Sequence, residues 1–96
     1  MTEDRYSLTI HQNSATSFTV TVRDLQGTTS HEVTVWPSDL ERYAPDATPE
    51  ALVEASFWFL LEREPKESIL RRFDLAVIEQ YFPDYAAAIG TLARDL

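Results

Sequence analysis

A chain of 96 residues and 11.0 kDa has room for one domain with a folded surface of about 5,600 Å². Its 44% hydrophobic content is that of a globular protein, not of a disordered tail. Sixteen acids against eight bases leave a net charge of −8, which opposes an electrostatic grip on nucleic acid or anionic membrane, and the absence of cysteine removes disulfides, thiol catalysis and the common zinc cages.

The chain reads as a single domain over 1–96, with a β-meander over 5–36 and a helical part over 37–96. In the first strand Tyr6, Leu8 and Ile10 point one way and Ser7, Thr9 and His11 the other. In the second, Phe18, Val20 and Val22 alternate with Thr19, Thr21 and Arg23. The third, Glu32 to Trp36, sets Val33 and Val35 opposite Thr34 and Trp36. Such period-two alternation predicts a sheet with one packed and one wet face. Gln12 to Ala15 and Asp24 to Thr28 are short and rich in turn formers, and Gly27 is free to take a positive φ, so an antiparallel three-stranded meander follows. Neither its first nor its third strand has a Lys or Pro in the middle to discourage pairing at the sheet edges.

Ser38 to Tyr43 predicts a short helix, interrupted at Ala44-Pro45-Asp46-Ala47. Thr48-Pro49-Glu50-Ala51 then starts a second one: Thr48 can cap, and Pro49 suits the first helical position. That helix is expected to run to Arg63 or Glu64 and to stop at Pro65. The unbroken run Phe57 to Leu61 marks it as a long apolar helix at the centre of the fold, buried on several sides. Lys66 to Phe73 reads as a further short helix in which Glu67 and Arg71 are spaced for an ion pair. Asp74 is expected to cap a helix over Leu75 to Phe82, and Tyr85 to about Leu92 forms the last one, weakened near its end by Gly90. The fold class is therefore α+β.

The string Glu54-Ala55-Ser56-Phe57-Trp58-Phe59-Leu60-Leu61-Glu62-Arg63-Glu64-Pro65 is followed by Ser68-Ile69-Leu70, Phe73-Asp74-Leu75, Val77-Ile78 and Tyr81-Phe82-Pro83-Asp84-Tyr85. This wording resembles a group of short uncharacterised bacterial proteins that share the pattern EASFxFLLEREPxxSILxxFDLxxIxxYFPxY. The resemblance implies a cytoplasmic bacterial protein and supplies no catalytic residue, ligand or partner. A second resemblance is to ribbon-helix-helix proteins, in which two chains pair a strand to read the DNA major groove. Here His31 to Val35 would be that strand, with Ser38 to Tyr43 and Thr48 to Arg63 the two helices. The strand offers Glu32, Thr34 and Trp36 where base readers carry Lys, Arg, Asn or Gln.

Few residues suggest chemistry. His11 and His31, the only histidines, are expected at strand ends on the surface; with Asp24 or Glu32 nearby they are the one candidate metal or acid–base set. No Gly-x-Ser-x-Gly elbow and no glycine-rich phosphate loop is present. Neither a catalytic centre nor a cofactor or metal site is expected. The informative residues are aromatic: a domain this small cannot hide them all, and Trp36, Trp58, Tyr81 and Tyr85 are candidate partner contacts. The doublet Arg71-Arg72 is a candidate anion or partner contact, or else a solvated face. The polar, acidic start Met1 to Ile10 does not resemble a signal peptide, and no apolar run is long enough to cross a bilayer. The expected function is a small, acidic, non-enzymatic interaction module, adaptor or antitoxin-like, partnered by a second copy (a homodimer) or by another protein. The alternatives are a ribbon-helix-helix-like DNA-binding regulator and a small enzyme or metal-binding domain.

Overall fold

The structure, a computed structural model, describes residues 5–96, so the Met1–Asp4 part of the polar start lies outside the described residues. β1 (Ser7–Gln12), β2 (Ser17–Asp24) and β3 (Gly27–Thr34) form the antiparallel meander that the alternation predicts. Leu8 faces Val22, Ile10 faces Val20 and Phe18 faces Val33. Phe18, Val20, Val22 and Val33 are fully buried, whereas Ser7, Thr9, His11, Thr28, Ser30 and Glu32 are exposed on the other face. Leu25 and Gln26 make the turn between β2 and β3. Asp24 Oδ1 accepts from the Gln26 and Gly27 N–H groups at 2.8 and 3.1 Å, and Gly27 takes the positive φ, +148°, that a side chain would resist.

β3 starts at Gly27, five residues before the expected Glu32, and ends at Thr34. Trp36 therefore lies outside the sheet, at the N-cap of α1 (Pro37–Tyr43), where its N–H donates to Asp39 Oδ2 at 2.9 Å. The earlier start also places His31 inside β3 on the packed face, only 1% exposed, and not at a strand end on the surface. His11, in β1, is exposed.

α2 (Pro49–Leu61) begins as its sequence predicts, with the Ala51 N–H donating to Thr48 Oγ1 at 3.1 Å. It is not the long apolar helix expected. It has 13 residues and stops at Leu61, before Arg63. Pro49, Glu50, Ala51, Glu54 and Trp58 leave a row in contact with water, while Leu52, Val53, Phe57, Phe59 and Leu60 are buried. Arg63 closes the end of the helix by donating to the Phe59 carbonyl at 3.0 Å, its guanidinium 3.6 Å from the centre of the Phe59 ring.

The largest departure follows Pro65. Instead of a helix over Lys66 to Phe73 there is a single 3-10 turn, Lys66–Ser68, and then a fourth strand, β4 (Arg72–Asp74), parallel to β3. The sheet is thus four-stranded and mixed, in the order β1-β2-β3-β4. Glu32 N–H donates to the Arg71 carbonyl at 2.8 Å and Leu75 N–H to the Thr34 carbonyl at 2.9 Å. This pairing overrides the local helical spacing: Glu67 pairs with Lys66 and not with Arg71, and Asp74 is a strand residue and not a cap. α3 is correspondingly short (Val77–Tyr81). α4 runs Tyr85–Arg94, past Gly90. A Cβ at Gly90 would stand 3.1 Å from the Tyr43 carbonyl oxygen, so this glycine serves the approach of α4 to the end of α1.

β4 covers β3 along Glu32–Thr34, so the third strand is not the open edge expected, and β1 remains one. Val35 N–H donates to Thr16 O and Asn13 N–H to Ser17 O, both at 2.8 Å. Even-numbered residues of β2 therefore bond toward β3 and odd-numbered ones toward β1, which turns the backbone groups of Leu8, Ile10 and Gln12 outward.

Candidate functional site

The end of α2, the segment after the 3-10 turn, β4 and α3 enclose a groove of about 190 Å³. Ile69, Phe73 and Ile78 are buried and, with Leu60, make its floor. Leu70 and Tyr81, 46% and 66% exposed, stand at its rim, and Val77 and Phe82 are half-buried between them. Glu64 and Ser68 are the polar members of the lining. The local cause is simple. Ile69 leaves the 3-10 turn in extended conformation (φ −75°, ψ 135°), so adjacent side chains point opposite ways: Ile69 enters the core and Leu70 faces water.

Two buried polar groups fix this segment. The His31 ring packs 5.4 Å from Phe57, and its Nδ1 lies 2.8 Å from the Leu70 carbonyl oxygen. A carbonyl only accepts, so Nδ1 carries the proton, and Nε2 accepts from the Thr29 hydroxyl at 2.8 Å. Burial pushes the imidazole below its usual range; the bond to Leu70 opposes that shift and the charge of Arg71 adds to it. The second group is Lys66, 1% exposed, whose Nζ reaches Asp24 Oδ1 at 2.8 Å and also bonds to Glu67. These bonds hold its ammonium above the usual range and the Asp24 carboxyl below its own, and they lock the 3-10 turn to the β2–β3 turn. Glu64 differs: burial in the apolar lining pushes its carboxyl up, and among the described residues it makes no salt bridge or side-chain hydrogen bond.

The candidate contact residues do not converge. Tyr81 belongs to the groove. Arg71 follows the rim residue Leu70 and is exposed, while Arg72 pairs with Glu32 across the β3–β4 contact at 3.1 Å. Trp36 is half-exposed at the start of α1, and Trp58 is half-buried, its Nε1 3.4 Å from Glu54; neither lines the groove. Tyr85 is corrected outright. It is wholly buried, its ring edge-on to Tyr43 and Phe59 at 5.1 and 5.3 Å, and its hydroxyl is 2.7 Å from Ser56 Oγ, which itself donates to the Leu52 carbonyl. A tyrosine with its polar tip satisfied inside belongs to the core. Leu70 and Glu64 were not singled out from the sequence. The signal for Leu70 was the pair Ile69-Leu70, which puts one side chain outside if the chain is extended.

Among the described residues no three His, Asp or Glu side chains gather as a metal site, and no helix is long and apolar enough to cross a membrane. Both nitrogens of His31 are engaged within the fold. No protein-family model matches the chain, and neither a curated protein nor a solved structure does.

Proposed function

We propose that this chain is a small, acidic, non-enzymatic interaction module of the bacterial cytoplasm, adaptor or antitoxin-like, and that it docks a protein partner, a second copy or another chain, in the groove rimmed by Leu70 and Tyr81. The observation that carries the reading is the pairing of two large, exposed apolar side chains with a buried apolar floor. Exposed apolar surface concentrated at a concavity is where binding energy is gained, and tyrosine is an efficient anchor there. The net charge of −8 would steer basic partner surfaces toward the molecule. Pairing of β3 on both sides over Glu32–Thr34 argues against the ribbon-helix-helix alternative, which needs that strand free for a second chain.

The test is capture of a tagged chain from its host's lysate, in cells whose untagged copy carries the same residues as the tagged one, with and without nuclease. We expect a stoichiometric protein that survives nuclease and is lost with Leu70→Asp or Tyr81→Asp, both at exposed positions where the fold tolerates a charge. Recovery of nucleic acid, or capture indifferent to both substitutions, would overturn the reading.

A further inference from the structure

The groove has a counterpart on the same chain. Leu25, at the β2–β3 turn, is 104% exposed, the most exposed large apolar side chain among the described residues. Arg23 and Arg5 lie with it around one concavity, and neither makes a salt bridge among the described residues. The acid at the tip, Asp24, is already engaged by Lys66 and by the turn's own N–H groups, so among the described residues the projecting charge there is positive in an otherwise acidic protein. The same bonds hold the turn in one conformation, which lowers the entropy cost of docking it.

The groove presents the complementary set. Its 190 Å³ is comparable with the roughly 150 Å³ at which an apolar cavity accepts a benzene ring, so it has room for one branched aliphatic side chain. Its carboxylate, Glu64, is partly stripped of water by apolar neighbours. The cations on either side of Glu64 in the chain are occupied: Arg63 holds Asp84 at 2.9 Å and the Phe59 carbonyl, and Lys66 holds Asp24 and Glu67, while Arg71, beside the rim residue Leu70, makes no salt bridge among the described residues. A desolvated carboxylate without a cation is stabilised by an incoming one.

We infer that the groove receives the β2–β3 turn of a second copy of this chain, with Leu25 entering between Leu70 and Tyr81 and Arg23, flanked by Arg5, closing on Glu64. This rests on the reading of the groove as a docking surface and names its occupant. The segments that carry tip and groove are joined by the Asp24–Lys66 bond, and a two-fold dimer would use both halves of this contact at once.

The experiment is sedimentation of the purified full chain over a wide concentration range. The wild type self-associates; Leu25→Asp and Leu70→Asp each weaken association at least tenfold, and Glu64→Gln weakens it less and reduces its salt dependence. The decisive arm mixes the Leu25→Asp and Leu70→Asp proteins, each retaining the half that the other lacks. Together they associate one to one, although neither does so alone. A monomeric wild type, association indifferent to Leu25→Asp, or a mixture that stays apart would overturn the inference, as would association lost only with Gln12→Pro, which blocks the β1 edge. If the wild type stays monomeric while Leu25→Asp still captures a foreign protein that Leu70→Asp loses, the docking reading stands and this inference falls.

Discussion

His31 shows how one buried side chain governs a surface. It joins Thr29 to the Leu70 carbonyl, so the groove rim is tied to the sheet through one imidazole whose burial favours the neutral form. Because burial lowers its folded-state pKa below the ordinary value of 6.5, the unfolded chain binds the proton more readily. The stability His31 contributes is complete above pH 6.5 and is lost as the pH falls through the folded-state value. Denaturation midpoints should therefore decline on mild acidification, before the carboxylates titrate, and His31→Gln should flatten the decline in that window. An unchanged slope in the variant would remove His31 from this role. The Asp24–Lys66 bond has its own limits: Asp24's share fades only on acidification through its lowered pKa, and Lys66's only on alkalinisation above 10.5.

At the scale of elements, β4 decides how the helical half sits on the sheet. Phe73, 8% exposed, points from β4 toward Phe57, their ring centres 6.1 Å apart. Phe73→Ala should cost about 3–5 kcal/mol in chemical denaturation and speed exchange of the Leu75 amide, which donates to Thr34. Fast exchange of that amide in the wild type would argue against the strand. The contrast with the meander explains what was legible beforehand. β1 and β2 alternate over six and eight residues, and Thr48-Pro49 marks the start of α2 by local chemistry alone. β4 has three residues, too few for a period, and is held by a strand some forty positions earlier, so nothing local announced it. The groove was hidden for the same reason. Tyr81 was a visible candidate, but Glu64 and Leu70 become neighbours only once β4 docks, and Tyr85 reads like Tyr81 in sequence although one is buried and the other is not.

For the whole molecule, α4 closes the core over the packed face of α2: Tyr85, Ile89 and Ala93 are buried, and Arg63 reaches from the end of α2 to Asp84 at 2.9 Å. Ending the chain after Phe73 should therefore uncover the Phe57–Leu61 turn and yield an aggregating protein with no cooperative thermal transition. A soluble, cooperatively folding truncation would contradict the placing of α2 at the centre.

The parallel contact of β4 also sets an order of events. The meander closes through neighbouring segments, but the His31–Leu70 bond spans 39 residues, and loop length alone makes such a closure cost about 3 kcal/mol. Contacts of that reach form late. The hairpins exist before the rim does, so a nascent chain carries the Leu25 tip well before it owns a groove to receive one. Synthesis from the N-terminus keeps that interval open until residues 70–82 have emerged, and under the proposed pairing an early tip could engage only a copy synthesised at least that far.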